Sequence, residues 1–211
     1  MSAAISPFSA EAFRLRAQGQ TKTGESEAEY GDYRFNPGHP RPRVKQEFLR
    51  SAAVLIPVVD HGEEATVLLT KRAETLRNHT GQVAFPGGRI DPTDPTPEYA
   101  ALRETEEEIG LPEGHIEVIG RMPDYVSGSG YRIAPVLSVV KPGFHLMLNP
   151  DEVDAAFEVP LRFLMDPANH HRNSRMWGEL EWMFYEMPYQ DRYIWGVTAG
   201  IIRILYERLY A

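Results

Sequence analysis

The fold is decided by residues 85–110, which begin Phe85-Pro86-Gly87-Gly88-Arg89-Ile90-Asp91 and end Arg103-Glu104-Thr105-Glu106-Glu107-Glu108-Ile109-Gly110. The paired glycines permit a close approach of the backbone to a phosphate group or a metal ion. At about 100° per residue, three glutamates of the second run share one arc of a helix: Glu104, Glu107 and Glu108. Glu106 points to nearly the opposite side. The stretch therefore predicts a glycine turn followed by a helix with one acidic face.

Both ends of this helix carry recognisable signals. Thr96 is a natural N-cap, Pro97 occupies the first helical position, and Gly110 is placed for the C-cap. The sequence therefore predicts a helix over Thr96–Ile109. A separate stripe is suited to burial against a sheet and comprises Leu102, Thr105 and Ile109.

The acidic face needs a counter-charge. Like charges at i,i+3 and i,i+4 cost roughly 0.2–0.5 kcal/mol per pair on an exposed helix, and Arg103 is the nearest base. A solvated acidic surface is the ordinary interpretation of a glutamate-rich helix taken alone. Three carboxylates beside a glycine turn favour instead a hard divalent cation, Mg²⁺ or Mn²⁺.

Strand-like and helix-like patterns alternate through the rest of the chain. The sequence predicts strands at 51–59, 65–70, 82–85, 116–121, 133–140 and 181–185. It predicts helices from Ser9 to about Gln18, at Leu161–Leu164 and over Gly196–Tyr210, with a short helix or loop at Asp151–Phe157 and a loop at His170-His171. This mixture predicts an α/β fold, an α/β/α sandwich with a mixed β-sheet. We expect an N-terminal arm, partly extended, over residues 1–45 and one domain over residues 46–211.

Composition excludes several classes of function. The net charge of -8 argues against bulk attraction to nucleic acid or an anionic membrane. The absence of cysteine excludes disulfides, thiolate metal sites and a cysteine nucleophile. No apolar run approaches the roughly 20 residues of a membrane helix, and the N-terminus does not read as a signal peptide. We therefore expect a cytoplasmic protein.

Residues 88–111 resemble the signature of the Nudix hydrolase family. Gly88 corresponds to the signature glycine, and the second half matches at Arg103, Glu104, Glu107, Glu108, Gly110 and Leu111. The sequence departs from the pattern in three ways. Asp94 stands in place of the first glutamate, eight residues rather than seven separate it from Arg103, and Thr105 replaces an aliphatic residue.

The stretch Leu68–Gly88 is similar to the additional motif of the coenzyme A pyrophosphatase branch of this family. The Nudix signature of that branch is shifted in the same way, with aspartate at the positions of Asp91 and Asp94. The resemblance implies hydrolysis of the diphosphate bond of coenzyme A to 3′,5′-ADP and 4′-phosphopantetheine. It suggests substrate-binding roles for Arg72, Arg77, His79, Gln82 and Gly87. The alternative for the cationic residues is an ordinary charged loop after a strand, and Gln82 has the alternative of fixing the loop backbone.

The resemblance also implies a division of catalytic roles. Glu104, Glu107 and Glu108, with the Gly88 carbonyl, are expected to hold the metal. Arg103 is expected to pair with one of these carboxylates and fix its rotamer. The general base stays open between Glu107, Glu108 and Glu152, and Glu152 has the alternative of an acid at a helix N-terminus.

Two other functions remain as hypotheses. One is a Nudix pyrophosphatase for ADP-ribose or another nucleoside diphosphate derivative. The other is a non-catalytic Nudix domain used for binding, against which the intact Glu104, Glu107 and Glu108 argue. A homodimer, with the N-terminal arm across its interface, is a further hypothesis.

Overall fold

The computed structural model describes residues 5–18, 30–38, 49–75 and 81–211. Their helices are α1 Ala10–Gln18, α2 Pro97–Ile109, α3 Leu161–Leu164 and α4 Gly196–Leu209. Their strands are β1 Arg50–Val59, β2 Thr66–Arg72, β3 Val83–Ala84, β4 Gly87–Arg89, β5 Ile116–Arg121, β6 Tyr125–Val126, β7 Tyr131–Val140, β8 Val153–Pro160, β9 His171–Trp177, β10 Leu180–Tyr189 and β11 Arg192–Trp195.

The larger sheet is mixed and is organised around β1. This strand runs parallel to β7, in register from Arg50 opposite Tyr131 to Val59 opposite Val140. It is antiparallel to β2 and to β4. The remaining pairs are antiparallel, with β3 and β8 on β2 and with β5 and β6 on β7. A smaller antiparallel sheet has the order β11-β10-β9.

Alternation along β1 separates two cores. Ala53 and Leu55 pack with Ala100 and Ala101 of α2 on one face. The intervening positions Ala52, Ile56 and Val58 join the main core on the other face, where α1 and α4 lie. Because successive side chains of a strand point to opposite faces, one apolar run serves both layers. The predicted α/β/α sandwich is confirmed.

The first helix belongs to the main core. Ala10, Phe13 and Ala17 are fully or almost fully buried, and the Ser9 hydroxyl accepts a hydrogen bond from the Ala12 N–H at 3.1 Å, which caps the helix as predicted. The described part of the expected N-terminal arm therefore packs onto the sheet. The boundary near residue 46 stays a prediction.

Two local predictions are wrong. Asp151–Phe157 is a loop only at Asp151 and Glu152, because β8 begins at Val153 and pairs with β2 along its length. His170-His171 is not a solvated loop. His170 is buried and its Nε2 donates to the Leu164 carbonyl at 2.7 Å, while His171 begins β9. In both cases backbone pairing and tertiary contact prevail over a polar local sequence.

Among the described residues, no helix is both long enough and apolar enough to span a bilayer.

Candidate active site

Helix α2 forms as the sequence predicts. The Thr96 hydroxyl accepts from the Tyr99 N–H at 3.1 Å, which satisfies a donor of the first turn. Gly110 adopts the left-handed region, at φ 65°, and its N–H donates to the Glu106 carbonyl. Thr105 and Ile109 are buried against the sheet. These contacts fix the rotation of the helix, and thereby the direction of its acidic face.

The two glycines of β4 are required by close packing. At Gly87 the φ angle is 143°, and a Cβ there would overlap the Ala53 carbonyl oxygen of β1. A Cβ at Gly88 would overlap the Glu104 carboxylate. The glycine pair therefore brings the backbone directly against a side chain of the acidic face.

Glu108 is the buried carboxylate of the site. It is 3% exposed, its Oε2 accepts the Gly87 N–H at 3.1 Å, and Arg72 Nη1 lies 3.5 Å from its Oε1. Burial raises the pKa of Glu108 to about 7, and the charges of Glu152 and Glu104 add to the increase. The hydrogen bond from Gly87 and the charge of Arg72 act in the opposite direction.

Arg103 connects the acidic face to the preceding loop. Its Nη1 donates to Glu104 Oε1 at 2.9 Å and to Glu107 Oε2 at 3.0 Å. Its Nε and Nη2 form a bidentate pair with Asp94 at 3.0 and 2.9 Å. The expected contact of Arg103 with the acidic cluster is thus present, and Arg103 bridges two of its glutamates.

Asp94 is a site residue to which sequence reasoning gave no role. Arg103 holds the pKa of its carboxyl below the usual range, helped by the N–H of Asp91, which donates at 2.8 Å. The displaced acid of the signature therefore anchors the arginine. The altered spacing of the signature was the available signal. Spacing alone does not show which basic side chain an acid will contact.

The donor set suits a hard divalent cation. Burial raises the pKa of Glu104, and the charges of Glu107 and Glu152 raise it further, which places these carboxylates within one another's fields. They offer oxygen ligands only, the set that Mg²⁺ and Mn²⁺ prefer. Across residues 5–18, 30–38, 49–75 and 81–211, no three such groups stand already arranged as a metal site. Arg103 lies between Glu104 and Glu107, so the expected convergence is incomplete.

Glu152 reaches the site because its loop is fastened to α2. The Met147 N–H donates to the Ile109 carbonyl and the Asn149 N–H to the Glu108 carbonyl, each at 2.9 Å. Asn149 also accepts the Glu152 N–H at 3.0 Å. These bonds satisfy carbonyls of the last helical turn, and they set Glu152 close enough to raise the pKa of Glu108.

The predicted substrate-binding residues are only partly in view. Arg72 is partly exposed and borders Glu108. Its N–H donates to the Gln82 carbonyl at 3.0 Å, so the backbone of Gln82 closes the loop after β2. Arg77 and His79 lie outside the described residues. The individual roles assigned to site residues remain predictions.

A mixed sheet, a glycine turn and an acidic helix tied together by an arginine define a Nudix domain. The NUDIX domain family matches residues 49–190, and the chain belongs to this family. Nudix hydrolases are pyrophosphohydrolases that act on nucleoside diphosphate derivatives and generally use divalent ions such as Mg²⁺ or Mn²⁺.

Two NudL relatives of similar length support this membership. The chain is 42% identical over 175 residues to a protein of Escherichia coli (strain K12 / DH10B) described as uncharacterized Nudix hydrolase NudL, covering 78% of this chain and 86% of the relative. It is 42% identical over 180 residues to the NudL of Klebsiella pneumoniae (strain 342), covering 82% and 89%. A solved Nudix hydrolase from Alicyclobacillus acidocaldarius is 22% identical, with a TM-score of 0.46, covering 75% of this chain and 91% of that one.

Proposed function

We propose that the protein hydrolyses the diphosphate bond of coenzyme A or acyl-coenzyme A, with Mg²⁺ or Mn²⁺, to 3′,5′-ADP and (acyl-)4′-phosphopantetheine. One observation carries the proposal. Arg72 is the last residue of β2 and belongs to the additional motif Leu68–Gly88. Its Nη1 lies 3.5 Å from Glu108 Oε1. The cationic segment typical of the coenzyme A branch therefore starts at the carboxylate site, where a polyanionic substrate needs positive charge.

The proposal assigns the metal to four groups: Glu104, Glu107, Glu108 and the carbonyl of Gly88. When bound, the ion supplies charge neutralisation for the diphosphate and lowers the pKa of its water. Arg103 keeps Glu104 and Glu107 in their rotamers from one side while Asp94 holds Arg103 from the other. Because Gly88 lacks a side chain, the Glu104 carboxylate can lie directly against its backbone.

Glu152 is the general base of the proposal. Its loop is hydrogen bonded to the carbonyls of the last turn of α2, which holds it near Glu104 and Glu108. The water oxygen forms a bond to one phosphorus, and the bond from that phosphorus to the bridging oxygen breaks. Glu152 takes a proton of the water, and the bridging oxygen leaves with the other phosphate. Glu107 and Glu108 are then left as metal ligands.

Substrate recognition is assigned to the residues around the glycine turn. Arg72 and the Gly87–Gly88 backbone face the diphosphate. Arg77, His79 and Gln82, in the segment between β2 and β3, contact the remaining anionic groups. Coenzyme A carries a 3′-phosphate besides its diphosphate, so this segment has a further charge to bind.

The test is a substrate panel resolved by chromatography. Coenzyme A, acetyl-coenzyme A, 3′-dephospho-coenzyme A and ADP-ribose are incubated with Mn²⁺ or Mg²⁺ and the wild type, Glu107→Gln or Glu106→Gln. We expect 3′,5′-ADP from the first two substrates, loss of activity in Glu107→Gln, and activity retained in Glu106→Gln. Glu106 is the matched control, since it lies on the opposite side of the same helix and is exposed.

Two results would replace the proposal with another. Faster turnover of ADP-ribose or 3′-dephospho-coenzyme A than of coenzyme A would assign the site to a different nucleoside diphosphate derivative. Binding of these compounds without any product, in both metals, would make the protein a non-catalytic Nudix domain.

A further inference from the structure

Strand β9 forms an edge of the smaller sheet. It pairs with β10 over seven consecutive residues without a bulge, from His171 opposite Glu186 to Trp177 opposite Leu180. Six of its seven residues are exposed, Ser174 being the exception. Among the described residues, no strand pairs with its other side. A long, regular edge of this kind is a template for an additional strand.

The outward direction of the backbone is fixed at Ser174. Ser174 stands opposite Met183, whose N–H donates to Asn36 Oδ1 at 2.7 Å and whose carbonyl accepts from Asn36 Nδ2 at 2.9 Å. Met183 thus directs its polar backbone away from β9, and in an antiparallel ladder its partner does the same. Accordingly the Ser174 N–H donates to the side chain of Asn173 at 2.8 Å and not to β10.

The alternation of the ladder extends this direction to both neighbours. Arg172 and Met176, two residues on either side of Ser174, also present their N–H and C=O groups to the free edge. Any added antiparallel strand must bond to these three residues.

We propose that β9 pairs antiparallel with β9 of a second copy of this chain, about a twofold axis at Ser174. In this register all seven residues pair, and each outward group meets an outward group: Ser174 meets the partner's Ser174 and Arg172 meets the partner's Met176. Arg175 faces the partner's Asn173, and His171 faces the partner's Trp177. The interface is therefore self-complementary, as a twofold interface requires.

Charge selects this register over its neighbours. An axis at Arg172 or at Arg175 would place that arginine opposite its own copy, and like charges directly opposite are destabilising. An axis between Asn173 and Ser174 would place Arg172 opposite the partner's Arg175 and would set outward groups against inward ones. An axis at Asn173 avoids like charges but shortens the ladder to five pairs.

The end of the β9–β10 hairpin supplies apolar surface for the contact. Trp177 is 70% exposed, Met176 61% and Leu180 45%. Trp177 and Leu180 form the last pair of the hairpin, so each tip would extend beside the first residues of the partner's β9. Exposed large apolar side chains grouped in this way mark a surface that binds another protein.

Proline at Ser174 tests the pairing directly. Ser174→Pro removes an N–H that β10 does not use, so it blocks the added strand while leaving the hairpin ladder in place. Ser174→Ala keeps the N–H and is the matched control. By light scattering after gel filtration, we expect twice 23.9 kDa for the wild type and Ser174→Ala, and a single chain for Ser174→Pro with an unchanged circular dichroism spectrum.

A cysteine variant locates the axis and does not depend on how the proline variant folds. The chain has no cysteine, so Ser174→Cys introduces a single thiol. Across a hydrogen-bonded antiparallel pair the Cα atoms are about 5.5 Å apart, within the range of a disulfide. Under an added disulfide oxidant, we expect linked dimers from Ser174→Cys. We expect none from Glu179→Cys at the hairpin tip, since the two copies of that residue would be roughly 25 Å or more apart.

Three outcomes would overturn the proposal. They are a wild type that stays a single chain up to high concentration, a dimer that persists in a folded Ser174→Pro variant, and cross-linking of Glu179→Cys in place of Ser174→Cys. All of these readouts are made without substrate, so they are independent of the outcome of the coenzyme A assay.

Discussion

Two carboxylates of the protein, the buried Glu108 and the partly buried Asp32, have similar surroundings but different partners. Glu108 accepts the N–H of Gly87 at 3.1 Å, and Asp32, in the short helical turn Asp32–Arg34, accepts the N–H of Gly128 at 2.6 Å. Burial raises the pKa of both. The second oxygen of Asp32 is taken by the hydroxyl of Tyr125, whereas within the described part of the chain the second oxygen of Glu108 has one long contact, with Arg72 at 3.5 Å.

The difference lies in spare acceptor capacity. A Cβ at Gly200 of α4 would overlap the Tyr125 hydroxyl, so α4 packs directly on the tyrosine and closes the Asp32 site. That site joins the N-terminal segment, β6 and α4. One oxygen of Glu108 is directed toward Arg72. Burial and a raised pKa therefore do not by themselves identify a functional acid. The oxygen of Glu108 that has only this long contact among the described residues supports its proposed role as a metal ligand.

The largest expected effect separates the two acids by activity. If Glu108 is a metal ligand as proposed, Glu108→Gln is expected to lower kcat/KM by about 100- to 1,000-fold, because the bound ion supplies several kcal/mol of charge stabilisation and each 1.36 kcal/mol is a factor of ten. Asp32→Asn is expected to leave kcat/KM per folded molecule within a few-fold. Steady-state kinetics on the best substrate of the panel measures both. Equal losses in the two variants would contradict the distinction.

The second effect separates them by stability. Tyr125→Phe leaves the partly buried Asp32 with one partner fewer, so we expect a loss of about 1–3 kcal/mol in the free energy of unfolding. Urea denaturation followed by fluorescence measures it. Tyr193→Phe is the control, since Tyr193 is 45% exposed and its loss should cost no more than about 0.5 kcal/mol. Equal midpoints for the two variants would remove the structural role of the Asp32 site.

The third effect concerns the group that holds the acidic face. Arg103→Lys cannot form the bidentate pair with Asp94 and at the same time reach Glu104 and Glu107. We expect Mn²⁺ affinity or kcat/KM to fall by about 10- to 100-fold, as for other residues that orient metal ligands. Arg121→Lys, facing Glu98 of the same helix at 3.9 Å, is the matched control. A fall of the same size in both variants would contradict the proposed role of Arg103 in orienting Glu104 and Glu107.

The smallest effect is a dependence of stability on pH in the metal-free protein. The pKa of Glu108 is raised in the folded state to about 7, so the folded protein binds more protons than the unfolded chain between the two values. The stabilisation is full below the unfolded pKa and is lost as pH rises toward 7. One proton gives a slope of at most about 1.4 kcal/mol per pH unit. Unfolding midpoints from pH 5 to 8 should fall less steeply in Glu108→Gln, and an unchanged slope would contradict the assignment.

The parts of the fold that could be predicted are those with local causes. Thr96 and Gly110 fix the ends of α2 through capping chemistry, and Gly88 is dictated by contact with an acid that the helical period brings to it. By contrast, β8 and β9 carry polar residues and exist because β2 and β10 supply backbone partners. Their sequences contain no comparable signal.

The same distinction applies within the site. The carboxylates could be predicted from spacing along one helix. The role of Asp94 depends on a contact with Arg103, nine residues later in the chain, across a turn whose shape the sequence does not specify. The attachment of the Glu152 loop to α2 uses backbone groups alone at Met147 and Asn149, and backbone hydrogen bonds leave no mark on residue identity.

Arg103 also affects the stability of the metal-free protein. Glu104 and Glu107 already have a guanidinium partner, so the acidic face is compensated before any cation arrives. Small domains that fold only around zinc unfold when a chelator removes the metal. Here we expect a chelator to leave a folded protein without activity. Activity should recover when the divalent ion is added back. A shortage of the divalent ion would then reduce activity without unfolding the protein.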